Sequence, residues 1–443
     1  MTTLCMSTNA SASRAGEIGS GALVGVVRPA LWVLNNPSYL FLATLVAMLF
    51  RPPDVDLYHL DRMGLILLLL VVFIRICLGR DAINVWSTIS IPMAGLFALA
   101  TAGTLIHPYE LQAWSMLAAK FLVPFALFHV AQGIFVEQRS LRHLETFALI
   151  VLTYLCVIAI AWLAGAKWLI FPRFILDETL GIHADRARGP FLQAVANGVS
   201  LNILGLIALN AFQRRRLKGA LAFFLIAALP LAILATMTRA VWFSFAASLV
   251  MIPIVTQNIR LRRCCKALVA LGLAVATICF VTGNIPTALT DRAEESGPVE
   301  IRMAIYRASW EMIREKPLLG WGQNQMPTEV TRRMPDYHLD AYWAHNSYLE
   351  ILVEEGVIGL TFYAWIMVTL WRIGRQEIHS FPGGCFDLEF RSLWPILLGV
   401  YLINATFVVM NYQFVNALLF SLAGVLAGQN RRALKFSSDV LAS

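Results

Sequence analysis

Thr146-Phe147-Ala148-Leu149-Ile150-Val151-Leu152-Thr153-Tyr154-Leu155-Cys156-Val157-Ile158-Ala159-Ile160-Ala161-Trp162-Leu163 is a run with no charged side chain, in the longer apolar stretch that begins near Leu144. As a helix it rises about 1.5 Å per residue, enough to traverse most of the ~30 Å hydrocarbon core of a bilayer. Comparable charge-poor runs begin near Tyr39, Met63, Val85, Trp114, Phe191, Ala220, Ala240, Ala267, Ser347, Leu393 and Tyr412. The first is short unless it draws on Ala22 to Leu34, and the seventh and eighth meet almost without a loop at Thr236 to Arg239. Hydrophobic residues make up 58% of the chain and charged ones 14%, with a mean hydropathy of +0.67, far from a soluble globular average. The expected fold is an all-α polytopic membrane protein of about twelve transmembrane helices, because a helix satisfies its own backbone groups in lipid.

Short loops rich in arginine and lysine stay on the cytoplasmic side, and here alternate loops are basic. One set holds Arg75 and Arg80, Arg139 and Arg142, Arg214 to Arg216 with Lys218, Arg260 with Arg262, Arg263 and Lys266, Arg372 and Arg375, and Arg431 with Arg432 and Lys435. These loops and both termini are placed inside. The opposite connections, Arg51 to Arg62, His107 to Ala113, Gly165 to Pro190, the bend before Arg239 and Gly283 to Ala344, are then outside. Three parts follow: an N-terminal tail and possible interfacial segment over 1–36, one transmembrane domain over 37–430 with outer loops 165–190 and 283–344, and a cytoplasmic tail over 431–443. Met1 to Gly21 is polar and rich in small residues, unlike a cleavable signal peptide.

The net charge of +8 lies mainly in the inner loops, so it reports topology and not nucleic-acid binding. Cys5, Cys77, Cys264, Cys265 and Cys385 map inside and Cys156 and Cys279 to spans, which leaves no disulfide framework outside. No metal-ligand spacing is present. Most other charged and polar residues gather in the two outer loops. Residues 165–190 carry Lys167, Arg173, Asp177, Glu178, His183, Asp185, Arg186 and Arg188, and 283–344 carry Asp291, Arg292, Arg302, Arg307, Arg314, Lys316, Arg332, Arg333, Asp336, His338 and Asp340. A connection as long as 283–344 is functional or disordered. Folding is expected, because Ile301, Ile305, Ala308 and Met312 share one helical face between Glu300 and Glu315, with Pro317 ending the helix and Gly320-Trp321-Gly322 turning the chain.

His345-Asn346, nine residues, Gly356, two residues, Gly359 lies where that loop meets the next apolar run. Imidazole is neutral and basic near neutral pH, so a base at this boundary meets a lipid-carried substrate. Arg302, Trp310 and Lys316-Pro317-Leu318-Leu319-Gly320-Trp321-Gly322, followed by the His345 run and Leu360, resemble the O-antigen ligase and polymerase superfamily of bacterial envelope glycosyltransferases. Thr238-Arg239-Ala240 and Arg186-Ala187-Arg188-Gly189-Pro190 are similar to two further pieces of the same pattern. The matches fall mainly in the second half of the chain, and the complete His345 run with no added soluble domain looks most like the ligase branch.

The resemblance implies a GT-C-like membrane glycosyltransferase in the bacterial inner membrane, with its active site facing the periplasm. The implied reaction moves a glycan from undecaprenyl pyrophosphate to a sugar hydroxyl of lipid A-core, with inversion at the anomeric carbon and with neither metal nor cofactor. Such a displacement needs a base for the acceptor hydroxyl and cations for the leaving pyrophosphate. His345 is the expected base, kept neutral by nearby arginines, with His338 as the competing imidazole. Arg239, at the junction of two apolar runs, is expected to bind pyrophosphate, although an arginine there can also snorkel to the interface. Arg186 and Arg188 are spaced to present two guanidiniums to phosphate oxygens, or else belong to a solvated loop. Arg302 joins them as a substrate-binding residue, while Arg307 and Arg314 balance Glu300, Glu311 and Glu315. Asn346 completes the substrate-binding set, with a role in orientation at most.

Gly356 and Gly359 read as packing glycines that let another span approach. Glu350, Glu354 and Glu355 either tune His345 or suit the helix dipole, the second being favoured. Lys120, inside the fourth run, either reaches a lipid phosphate or pairs with an acid. The helices are expected to leave a lateral opening to the outer leaflet with the long loop as a lid, and His345 to share one cavity with Arg239 and with Arg188 or Arg302. Three rivals stand beside the ligase: an O-antigen polymerase, a protein O-oligosaccharyltransferase, and a lipid or polysaccharide transporter. Transporters tend to show internal repeats, and none is evident here.

Overall fold

The computed structural model describes residues 28, 31–51, 59–80, 83–282, 297–334, 343–376 and 385–442. Helices dominate, and no strand occurs among the described residues. In chain order they are α1 (Pro37–Leu49), α2 (Leu60–Cys77), α3 (Ser90–Ile106), α4 (Leu111–Ile134, with a π-helical turn at Ala118–Leu122), α5 (Gln138–Leu163), α6 (Ala194–Gln213), α7 (Gly219–Ala235), α8 (Arg239–Val255), α9 (Ile259–Thr282), α10 (Gly297–Glu315), α11 (Met326–Arg332), α12 (Ser347–Glu354), α13 (Gly356–Arg375), α14 (Leu388–Ala405) and α15 (Gln413–Ala442). A helix runs through α15 without a break at 431, where the tail was expected to begin.

By length and composition α4, α5, α6 and α13 are each able to cross a membrane, and α1, α3, α7 and α8 are shorter apolar helices. α6 is apolar all round, and 89% of its span is buried, as expected of a helix enclosed on every side by other helices. Around it α5, α7, α8 and α14 pack directly. α15 lies along the second half of α4, where Gly424 and Gly428 bring its backbone against the Phe128 and Gln132 carbonyl oxygens.

The connections sort into two ends, following the alternation expected from the loop charges. At the basic end Arg214 and Arg216 meet the buried Glu145, Gln429 reaches the Cys385 carbonyl oxygen, and Arg432 caps the Phe135 carbonyl oxygen at 3.3 Å. At the other end Tyr154 reaches the Phe171 carbonyl oxygen, Ala187 N–H bonds Ala235 O at 3.0 Å, His107 meets Trp321 O at 2.7 Å, and Ser347 Oγ donates to Val408 O at 2.9 Å. The described parts of the segments expected outside come together at this end. There α10 and α11 form a second hydrophobic core, with Ile305, Ala308, Met312 and Met326 closing on Val330 and Val353. The apolar face read from 301–312 is therefore the face that buries.

Candidate functional site

α12 begins where Asn346 Oδ1 accepts hydrogen bonds from Tyr348 N–H at 3.0 Å and Leu349 N–H at 3.1 Å. Asparagine is among the strongest helix caps because its short side chain satisfies donors that have no partner within the helix. Asn346 is thus spent on the helix start. Its neighbour His345 stands just before the cap with φ +48, a left-handed conformation that costs a non-glycine residue roughly 1 kcal/mol and that clusters at functional sites. Ser347 fixes the same start from below, donating to Val408 O and accepting from Met410 N–H at 2.8 Å.

The imidazole of His345 keeps an exposed face. Burial of the rest of the ring, reinforced by the positive charge of Arg302 on α10 and by His183 on the 165–190 loop, holds its pKa below the ordinary imidazole value. A ring in this setting is neutral at neutral pH. His183 was not singled out from the sequence, where it is one polar loop residue among eight. Only the fold carries it, also at positive φ, toward His345.

Arg188 departs from the expected role. It is 2% exposed, its Nε and Nη2 donate to Ile175 O at 3.2 and 3.0 Å, its Nη1 donates to Leu180 O at 2.6 Å, and its Nη2 also reaches Asp177 O. The guanidinium gathers the carbonyls of its own loop, so the expected pair of phosphate-facing guanidiniums at 186 and 188 is not presented. Arg186 lies 3.6 Å from Asp185. The Ala187–Ala235 bond joins this loop to the bend at 236–238, where Met237 turns at φ +47 and α8 begins with the exposed Arg239. The structure therefore brings His345, His183 and Arg302 together, and ties the Arg186 loop to the Arg239 bend.

Lys316 to Gly322 is the other half of the site's frame. Trp321 N–H bonds Val353 O at 2.9 Å, Gly322 N–H bonds Glu354 O at 2.8 Å, and Val357 N–H bonds Pro317 O at 2.9 Å. The turn is laced by backbone to the point where α12 stops and α13 starts. Gly356 adopts φ +69 there, and a Cβ on it would sit 2.2 Å from Leu318 O. Gly320 is matched to it, with a Cβ position 2.4 Å from the Glu354 carbonyl. Gly356 thus serves a helix break and a backbone contact, while Gly359 faces the Glu355 side chain and Leu99 of α3. Trp321 donates to Met312 O at 3.0 Å and carries Lys316 over its ring at 4.0 Å. Glu315 pairs with Arg333 at 2.7 Å and Arg314 lies over Trp310 at 5.5 Å.

His338, the competing imidazole, lies outside the described residues, as do Asp291, Arg292, Asp336, Asp340 and the tail Met1 to Gly21. Among the described residues no group of three or more His, Cys, Asp or Glu side chains is arranged to hold a metal ion. No curated protein matches the chain. Residues 221–364 match the family model described as O-antigen ligase, a stretch that holds Arg239, Arg302, the Lys316–Gly322 turn and the whole His345–Gly359 run.

Proposed function

We propose that the protein is an O-antigen ligase of the bacterial inner membrane, with twelve crossings, a GT-C-like arrangement, cytoplasmic termini and a periplasmic active site. Its donor is a glycan on undecaprenyl pyrophosphate and its acceptor a sugar hydroxyl of lipid A-core. The observation that carries this reading is His345: an imidazole held neutral beside Arg302, in a strained conformation at a helix start, within the family's matched stretch.

In the proposed step the acceptor oxygen attacks the anomeric carbon from the face opposite the pyrophosphate. The bond from that carbon to the pyrophosphate oxygen breaks, the acceptor proton passes to His345, and undecaprenyl pyrophosphate leaves. Arg302, Arg239 and Arg186 meet the growing phosphate charge, each as a forked donor suited to phosphate oxygens. Arg188 and Asn346 act at one remove, the first shaping the loop that carries Arg186 and the second fixing the helix that follows His345. No metal takes part in this scheme.

Purified protein in proteoliposomes, supplied with the lipid-linked glycan and lipid A-core without nucleotide, tests the reading. Transfer to lipid A-core that is lost in His345→Ala is the expected result. Transfer only to a second lipid-linked repeat would select a polymerase, transfer to protein an oligosaccharyltransferase, and movement of the glycolipid across the bilayer without transfer a transporter.

A further inference from the structure

Lys120 sits inside the apolar α4, at the π-helical turn Ala118–Leu122. Its side chain is 7% exposed, and its Nζ lies 2.9 Å from Glu350 Oε2 and 3.5 Å from Glu354 Oε2. Both acids belong to α12, one turn apart, on the helix that starts two residues after His345. Glu355 follows at the break before α13, fully buried, with neither carboxyl oxygen in a hydrogen bond. Glu354 Oε2 accepts from Gln323 Nε2 at 2.8 Å, while its Oε1 is buried without a hydrogen bond.

Two buried carboxylates therefore contact one ammonium, and a third buried carboxyl, Glu355, lies within electrostatic reach of it. One lysine neutralises one carboxylate, and like charges a few ångströms apart repel by about 4 kcal/mol even at an effective dielectric of about 20. A buried carboxyl with no donor is not stable as an anion, so the excess must be held as protons. Among the described residues no second cation borders the cluster: the neighbouring faces contribute Gln323 from the Lys316–Gln325 segment, Tyr363 from α13, Tyr401 from α14 and Asn416 from α15, while His107 and Glu110 are engaged with Trp321 O and Asn324. A cavity of about 30 Å³ bordered by Lys120, Glu350, Ser347, Tyr363, Tyr401 and Asn416 adjoins the cluster. That is room for about two waters, since one needs roughly 10–15 Å³.

We propose that Lys120, Glu350, Glu354 and Glu355 form a shared-proton site that locks α12 against α4 and thereby positions His345. Lys120 matches one carboxylate, and at least one proton stays with the Glu354–Glu355 pair. The residues are positioning groups and touch no substrate. The proposal rests on His345 being the transfer base only for its effect on rate, so the test has one arm that measures no transfer.

That arm is thermal unfolding of the full-length protein in detergent from about pH 5 to about pH 9. Removing the ammonium leaves carboxyls that must keep more protons in the folded state than their unfolded range near 4.3 requires. Stability of Lys120→Met is therefore closest to wild type at the acid end and falls as pH rises. In the transfer assay the same variant is expected to lose about tenfold or more at pH 8, to regain most of this at pH 6, and to be restored at pH 8 by adding Glu350→Gln. A deficit in unfolding temperature that is the same at every pH overturns the shared proton, whatever the transfer assay shows. A wild-type rate for Lys120→Met at pH 8 overturns the positioning role. If Lys120→Met does not fold, Glu355→Gln decides: the neutral isostere is expected to unfold at or above the wild-type temperature at pH 8, and a drop of several degrees at all pH values overturns the proposal.

Discussion

His345 and the residue that presses on it make a paired prediction. Because its pKa is lowered by burial and by Arg302, the neutral base persists to a lower pH than the ordinary imidazole value of about 6.5 allows. The acid limb of the pH–rate profile is expected below that value in wild type, and Arg302→Ala should move it upward, with Arg302→Lys staying close to wild type. His345→Ala should lower the rate about 10²- to 10⁴-fold, the usual contribution of general base catalysis. Arg188 and Arg239 separate in the opposite sense. Arg188→Ala strands three carbonyl oxygens and is expected to cost roughly 3 kcal/mol of stability, read by chemical or thermal unfolding. Arg239→Ala, at an exposed position, should leave the unfolding midpoint within about 1 °C while raising KM for the lipid donor about tenfold or more. The types of these residues and their places in the chain were legible in the sequence. The direction in which each guanidinium points was not, because Arg186 and Arg188 flank one alanine and only the folded loop turns one of them inward.

At the scale of elements, the His345–Gly359 run is a helix, a break and a second helix. The spacing from Asn346 to Gly356 is the length of α12 with its cap and its terminator, which the sequence shows only as one apolar stretch. Gly356→Ala would put a Cβ 2.2 Å from Leu318 O in a left-handed conformation and is expected to destabilise the protein by about 2 kcal/mol or more, with loss of transfer. Gly399→Ala on α14 has nothing within 4 Å of the added carbon and should be neutral or stabilising by up to about 1 kcal/mol. Equal destabilisation of the two variants would refute the backbone lacing between the Lys316–Gly322 turn and the helix break. Glu350, Glu354 and Glu355 illustrate the same limit. Three acids at a helix start suit the dipole when the helix is read alone, and become a buried cluster once α4 supplies Lys120.

For the molecule as a whole, orientation is open to a direct check. Cys77 is exposed at the basic end, and Leu319 is 62% exposed at the His345 end. A membrane-impermeant maleimide should label Leu319→Cys in intact spheroplasts and reach Cys77 only after permeabilisation; the reverse pattern would put His345 on the cytoplasmic side.

Hydropathy and loop charge alone pointed to an all-helical membrane protein with two alternating ends, since burial in lipid and charge placement act on each segment independently, while His345 was singled out by the motif around it and by the resemblance that motif carries. Tertiary structure alone decided that His183 joins Arg302 at His345, that Arg188 turns into its own loop and that Lys120 meets Glu350 and Glu354. Those outcomes depend on contacts between segments as far apart as 183 and 345, or 120 and 350, and the alternatives differ by only a few kcal/mol of packing and hydrogen bonding that no single segment contains.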